Sequence, residues 1–359
     1  MAWFADDVKE GFCNYLMKLS ILTPTYNGER FLRAAIATLQ SQDFQDWESI
    51  IVDDGSKDAT PRIAREIASE DSRIRVICQE NGGVSVARNH ALNEARGDWI
   101  LWLDEDDAII PGALGRIAAL IDAHQTCQCF QFPYLAIQPD GSFLKCGSDA
   151  YAKFGDREYP GAKAFDILFA SNDTAGMNWQ PWRFVYRHDA LPRFRPGRIH
   201  EDIDVLPLHL ASLERVFIAS DPFYAYRMAR ADSATTTFTP RRVRDILDVT
   251  ADIYDDLARS SLPDSVKRGF SSMLAVNLFG FYIATPTFAE PDRTALLNTF
   301  AEHSDWLTAI DWPRSTAWLK RLIIRLLGVR GAACLLSRIR TRFPKKQIPG
   351  SSHVFSMVL

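Results

Sequence analysis

Lys18 to Pro24 reads KLSILTP, Trp47 to Asp53 reads WESIIVD, and Trp99 to Leu103 reads WILWL. Each is a short, nearly unbroken apolar run that stops at a proline or at acidic residues, the pattern of a strand covered on both faces. Between the first two, Glu29 to Gln42 sets Phe31, Leu32, Ala35, Ile36 and Leu39 at helical spacing. Ala59 to Ser69 repeats that pattern, with Asp58 and Thr60 as candidate caps. Arg73 to Cys78 reads as a further strand and Val84 to Ala95 as a helix opened by a glycine pair. Strand alternating with helix predicts an α/β fold with a mostly parallel central sheet flanked by helices.

In such sheets ligands gather at the carboxyl ends of the strands, where loops converge and helix N-termini point at the ligand. Three polar segments fall at those ends: Thr23 to Asn27, Asp53 to Asp58, and Asp104 to Asp107. Beyond residue 130 the pattern becomes mixed and rich in aromatics, and from Arg241 it is mainly helical. The expected organisation is a lead-in over 1–17 and a domain over 18–238 that divides at residue 124, followed by a helical region over 239–359.

A chain of 359 residues with 47% hydrophobic and 24% charged residues has the composition of a folded globular protein. Its net charge of -4 gives no overall basic field, so nucleic acid is not an expected partner. The charge is uneven, with ten basic residues and no acidic one between Trp312 and Lys346. Within that tail, Trp318 to Arg342 interleaves leucine and isoleucine with arginine and lysine, which suits either a helix lying on an anionic membrane surface or one packed inward with its basic face solvated. Such a tail also serves a homo-oligomer. Gly328 and Gly331 predict a break within it. The six cysteines show no paired metal-ligand spacing, and Asp6, Asp7 and Glu10 stand where a secretory leader would be basic and then apolar. With no run of about 18 apolar residues, the expectation is a reduced, cytoplasmic protein that meets a membrane, if at all, from its inner surface.

The sharpest local feature is Asp104-Glu105-Asp106-Asp107 directly after an apolar strand. Carboxylates packed together repel unless a cation or solvent relieves them, and Mg2+ or Mn2+ commonly shares such oxygen ligands with a substrate diphosphate. An acidic turn capping the next helix accounts for the same residues. Asp53-Asp54-Gly55-Ser56 offers acceptors for a base or a ribose, or simply a turn. Arg88 suits a phosphate, or a salt bridge holding the acidic loop. Far along the chain, His200-Glu201-Asp202-Ile203-Asp204 brings carboxylates that can accept a proton from an attacking hydroxyl, or can cap a helix.

In order along the chain, SILTPTYNGERFLRAAIATLQSQ, WESIIVDDGSKDAT, NGGVSVARNHAL, GDWILWLDEDDAIIPGAL, WRFVYRHDAL and IHEDIDVLPLHLA resemble the family 2 glycosyltransferases, especially bacterial members that build capsular and lipopolysaccharide chains. The resemblance covers roughly residues 18 to 235 and implies that 18–238 is a catalytic domain with a nucleotide-binding half, 18–124, and an acceptor-binding half, 125–238. It implies an A-type nucleotide-diphospho-sugar transferase fold, a divalent metal (Mn2+ or Mg2+), and inversion at the anomeric carbon. It also implies a nucleotide diphosphate sugar as donor, a UDP-sugar favoured, and a saccharide or lipid-linked saccharide as acceptor. Carried over by position, Pro24, Thr25 and Tyr26 border the base, Asp54 with Asp53 holds the nucleotide, and Arg88 lies by the diphosphate. Asp104 binds near the ribose or metal and Asp106 is the metal ligand, with Glu105 between them in the donor-binding set. Asp202 is the catalytic base, and Glu201 orients it or the acceptor. Trp179 and Trp182 are the candidates for acceptor contact, since aromatic faces stack on sugar rings.

Other readings make different demands. A nucleotidyltransferase would show an early glycine-rich basic loop, and a dinucleotide oxidoreductase a G-x-G-x-x-G after the first strand; neither is present. A non-catalytic, carbohydrate-binding or scaffolding relative would have lost the acidic loop or the Glu201-Asp202 pair, and both are intact.

Overall fold

The computed structural model describes residues 19–138, 141–146, 148–169, 179–228, 238–309 and 317–342. Its first half follows the predicted alternation: β1 (Leu19–Thr25), α1 (Leu32–Gln40), β2 (Trp47–Asp53), α2 (Thr60–Glu70), β3 (Ile74–Cys78), α3 (Val84–Glu94), β4 (Trp99–Trp102), β5 (Ala108–Ile109) and α4 (Ala113–Ala123). The mixed stretch resolves into β6 (Cys129–Gln131), β7 (Tyr134–Ile137), β8 (Phe143–Cys146), α5 (Ser148–Phe154), β9 (Arg157–Tyr159), α6 (Gly161–Phe169) and β10 (Phe184–Arg187). Then come α7 (Glu201–Ser212), β11 (Val216–Ile218) and β12 (Tyr224–Arg227). The C-terminal region holds α8 (Pro240–Arg259), α9 (Asp264–Ala284), α10 (Asp292–Glu302), α11 (Ser304–Thr308) and α12 (Ala317–Arg342).

Eight strands form the main sheet in the order β3-β2-β1-β4-β10-β6-β11-β9. β3, β2, β1 and β4 are mutually parallel, whereas β10 runs antiparallel to both β4 and β6, and β9 runs antiparallel to β11. A second sheet, β5-β12-β7-β8, stands beside the acidic loop. Every residue of β1 and β2 is buried, which is why both read as unbroken apolar runs rather than alternating ones. Trp47, Ile50, Ile100 and Trp102 fill the layers on either side of this sheet, each worth about 1.5–3 kcal/mol of burial.

Register decides where the polar segments meet. Thr25 pairs with Asp53, Leu22 pairs with Trp102, and the Leu103 amide donates to Leu22 O. The loops that follow β1, β2 and β4 therefore leave the sheet along one edge.

The caps differ in detail from expectation. Neither Asp58 nor Thr60 is the cap residue of α2, which is Ala59; instead Asp58 accepts from both the amide and the hydroxyl of Thr60. The helical region is not set apart from the sheet domain: α8 begins two residues past the expected boundary at 238, and its Asp245 and Asp252 bind the segment that leads into α7. In α12 the expected break is at Gly328, whose φ of 65° leaves the helical region. Beyond that kink Val329, Ala332, Ala333 and Leu336 are buried, and the Tyr282 hydroxyl of α9 donates to Val329 O. Residues 1–17 and 343–359, which include Lys345 and Lys346, lie outside the described residues.

Candidate active site

The loop after β1 is laced to the loop after β2. The Asn27 amide donates to Ser56 Oγ at 2.9 Å, and the Lys57 amide returns a bond to Asn27 Oδ1 at 2.8 Å. Thr25 is buried at the strand end, and Tyr26, 47% exposed, opens toward solvent. Gly28 has to be small, because a Cβ there would sit 2.7 Å from Thr25 Oγ1 and 2.8 Å from Glu105 Cγ. That closeness places the Glu105 side chain over the loop that carries Pro24, Thr25 and Tyr26.

Of the two readings open to Asp54, a ligand acceptor or a turn, its bonds form the turn. Its Oδ1 accepts from Gln79 Nε2 at 2.7 Å and the Gly82 amide at 2.8 Å, and its Oδ2 from the Gly83 amide at 2.8 Å and Asn81 Nδ2 at 3.2 Å. Both oxygens are thus engaged by the Asn81-Gly82-Gly83 turn, and the carboxylate shapes that turn instead of reaching outward. Gly55, at φ 74°, lets the two segments approach, since a Cβ would lie 2.8 Å from the Asn81 amide nitrogen. Asp53, one residue earlier, takes a single long bond from the Ser56 amide at 3.4 Å.

In the acidic loop the four carboxylates divide. Asp107 is buried, accepting from the Tyr224 hydroxyl at 2.8 Å and the Arg227 amide at 2.7 Å. Burial, followed by the charges of Asp106 and Asp104, pushes its carboxyl well up. Its role is to anchor the loop to β12, a task completed by Arg227 Nε on Asp106 O at 2.9 Å and by the Asp104 amide on the Tyr224 hydroxyl at 3.1 Å. Asp107 is thus committed to β12, whereas the Asp104 carboxylate, at the start of the loop, lies by Arg88. Asp104 is pushed up to about 6, by burial first and then by Asp106 and Glu201, with Arg88 acting against the rise.

Arg88 joins the loop to the distant acidic pair. Only 5% exposed, it ion-pairs with Glu201 through Nη1 and lies 3.8 Å from Asp104 Oδ1 through Nη2. Its guanidinium sits 5.6 Å from the Trp102 ring and 5.3 Å from that of Phe194, so it is held by aromatic faces as well as by charge. Of the two roles open to Arg88 in the sequence, the salt bridge to the acidic loop is the one formed.

Glu201 and Asp202 open α7, and Asp204 follows in the same turn. Asp202 is pushed up to about 7 by burial and by the neighbouring Glu201 charge, against the Ile203 amide and Arg88. Asp204 is paired with Arg195 at 2.8 Å and rises to about 6 through burial. The chain before α7 is fastened at both ends: Asn89 of α3 exchanges two bonds with the Phe194 backbone, while Arg195 and Arg198 pair with Asp256 and Asp252 of α8.

Trp182 and Trp179 are corrected by their burial, 2% and 7% exposed. Trp182 stacks on Tyr224 at 4.6 Å and on Tyr226 at 5.3 Å, and Trp179 stacks on Phe169 at 6.1 Å. Their faces are spent on packing, where the sequence had them meeting an acceptor sugar. Four residues that sequence reading passed over shape the site: Tyr224, Arg227, Arg242 and Asp245. Arg242 faces the charges of Asp202, Asp245 and Glu201, and burial lowers its pKa against them. No local motif marks any of the four; Arg242 and Asp245 sit in an ordinary amphipathic helix.

Glycosyl transferase family 2 is the family whose model matches residues 20–178, a span that holds the loops after β1, β2 and β4 and Arg88. The chain carries a family 2 glycosyltransferase domain. Among curated glycosyltransferases, GlyA of Streptococcus pneumoniae is 26% identical over 266 residues, 73% of this chain and 38% of its own length. The GalNAc(5)-diNAcBac-PP-undecaprenol beta-1,3-glucosyltransferase of Campylobacter jejuni is 36% identical over 102 residues, 28% of this chain and 33% of that protein. The chain thus spans well under two thirds of either relative. Among solved structures, TarS residues 1–349 of S. aureus, in complex with UDP-GlcNAc, aligns with a TM-score of 0.64 at 18% identity, covering 93% of this chain and 95% of that one. The mannosyltransferase PcManGT of Pyrobaculum calidifontis, in complex with GDP-Man and Mn2+, aligns with a TM-score of 0.50 at 16% identity over 91% and 88% of the chains. The fold is therefore that of the A-type glycosyltransferases, with α8 to α12 as its helical extension.

Proposed function

We propose that the chain is an inverting glycosyltransferase that moves a sugar from a nucleotide diphosphate donor, a UDP-sugar foremost, onto an acceptor hydroxyl. One observation carries this reading: Arg88 contacts Asp104 and Glu201 at once, so the acidic loop and the α7 pair, 97 positions apart, share one site. Asp53, Thr25 and Tyr26 would receive the nucleoside, with Glu105 closing over them.

A divalent cation fits this donor set. Among the described residues no three His, Cys, Asp or Glu side chains form a ready metal cage. Asp104 and Asp106 would hold Mn2+ or Mg2+ together with the donor's diphosphate oxygens, the sharing these hard cations favour. Burial drives Asp104 upward first, and the repulsion from Asp106 and Glu201 that adds to it is what such a charge would relieve. When bound, the metal supplies Lewis-acid stabilisation of the charge on the departing nucleotide diphosphate.

The chain's own groups do the rest. Asp202 takes the proton of the acceptor hydroxyl as that oxygen forms its bond to the anomeric carbon. The bond from that carbon to the diphosphate breaks, and its electron pair leaves with the nucleotide. A single displacement inverts the anomeric centre. A carboxyl poised at about 7 is matched to general-base work near neutral pH. Glu201, ion-paired with Arg88, stands beside Asp202 and would orient it or the acceptor.

The acceptor we propose is a saccharide, free or lipid-linked, as the name of the Campylobacter relative states for that enzyme. Among the described residues no helix is long and apolar enough to cross a membrane, and the contact proposed is peripheral, at the cytoplasmic face, through α12.

Melting of the purified chain with a panel of nucleotide diphosphates and nucleotide sugars, each with and without Mn2+, tests the reading, because a ligand bound only to the native state raises the melting temperature. The expected result is a rise with one nucleotide class that requires the metal and disappears in Asp106→Ala. A flat panel on folded protein points instead to a non-catalytic relative.

A further inference from the structure

Asp245, in the second turn of α8, lies outside every motif of the sequence and is buried at 8% exposure. Its Oδ2 accepts three hydrogen bonds: from the Ile199 amide at 3.0 Å, the His200 amide at 2.8 Å and His200 Nδ1 at 2.8 Å. All three donors belong to the two residues immediately before Glu201. His200 is the cap position of α7, yet its side chain makes no cap bond; the ring turns to Asp245 and meets the edge of Phe281 of α9 at 5.1 Å. Burial alone would raise the Asp245 carboxyl, but the His200 ring and the two amides overcome this and hold it below its usual range.

We propose that Asp245 is a positioning residue for the candidate base: by gripping Ile199 and His200 from α8, it sets the first turn of α7 and hence the direction in which Asp202 meets the acceptor hydroxyl. The inference rests on the transferase reading above. The helical extension is then a working part of the site. Arg195 and Arg198 also bind α8, but through side chains at the rim, whereas Asp245 takes the backbone amides of Ile199 and His200. The donor half is built from β1, β2, α3 and the acidic loop, and the three hydrogen bonds of Asp245 go to Ile199 and His200 instead. Loss of the grip would therefore disturb turnover and spare donor binding, because misplacing a reacting group costs rate without costing ground-state affinity.

The experiment measures UDP release from UDP-GlcNAc with Mn2+, alongside calorimetric binding of UDP, for the full chain and for Asp245→Asn and Asp245→Ala. Asp245→Asn has the same shape and keeps an acceptor oxygen for the amides, so it tests the proposal even where the alanine variant does not fold. We expect kcat to fall at least tenfold in Asp245→Ala and by less in Asp245→Asn, with the KM for UDP-GlcNAc and the affinity for UDP within twofold of wild type. Unchanged kcat in both folded variants, or a loss of UDP affinity that tracks the loss of kcat, overturns the positioning role while leaving the transferase reading in place. A wild type that neither binds UDP nor turns over any nucleotide sugar overturns that reading, and this inference with it.

Discussion

Asp202 stands at a helix N-terminus, between the Glu201 charge that raises its pKa and the Arg88 charge that opposes the rise. A base must be unprotonated, so transfer is expected to climb as pH rises through about 7 and then level off. The same shift carries a stability cost of definite sign. The unfolded side chain titrates near about 3.9, so between that pH and about 7 the folded state binds more protons, and stability falls as pH rises across that window. Asp202→Asn removes the cost together with the base. At pH 8 it should melt above wild type, by on the order of 1 kcal/mol, with the difference shrinking toward pH 4, while transfer drops about a hundredfold or more. Metal-dependent donor binding should be retained. Melting curves at the two pH values and a rate assay at pH 8 check both halves, and near-normal turnover would remove Asp202 from the role.

Among the elements, α3 supports the site through one side chain. Arg88 and Glu201 are both buried, and deleting one partner strands the other charge away from water. Arg88→Ala is expected to cost about 3–5 kcal/mol in urea unfolding, whereas Arg62→Ala, which breaks an exposed pair with Glu66, should cost less than about 1 kcal/mol. Equal costs would mean that Arg88 is not the strut between the acidic loop and α7. This contrast marks what the sequence makes legible. β1 and β2 could be read because each is an unbroken apolar run, α1 because its apolar residues fall at helical spacing, and the acidic loop because four adjacent carboxylates demand a reason. The antiparallel insertion of β10 between β4 and β6 was not legible, since strand direction depends on pairings distant in sequence. For the same reason the bonds of Asp54 were not legible: its four donors come from a segment some 25 residues on, and nothing near Asp54 announces them. Trp182 misled in the opposite way, because a ring that stacks on tyrosines and one that stacks on a sugar have the same local signature.

At the scale of the whole molecule, α12 is two helices with different tasks. After Gly328 its apolar residues turn inward onto α9 and α10, as a core-packing tail would. Before Gly328 the helix is divided: Ile324 is buried and Ile323 packs on the core, while Leu319, Leu322, Leu326 and Leu327 are exposed, Leu326 by 73%. Arg325 is exposed beside them, and the segment has no acidic residue to offset it. Exposed leucines flanked by arginine match an anionic bilayer surface, where burial of the apolar stripe adds to roughly 1 kcal/mol for each basic residue near the lipid charge. The chain is therefore expected to float with vesicles that contain phosphatidylglycerol and to float less with phosphatidylcholine alone, with binding weakened by salt as surface charges are screened. A Leu322→Glu, Leu326→Glu variant should lose flotation with little change in melting temperature, because both side chains are exposed in the folded state. If the variant floats as well as wild type, the leucine stripe is not what holds the chain to lipid. If wild type fails to float at low salt, the first half of α12 is left to a protein surface, and a second copy of the chain becomes the partner to look for.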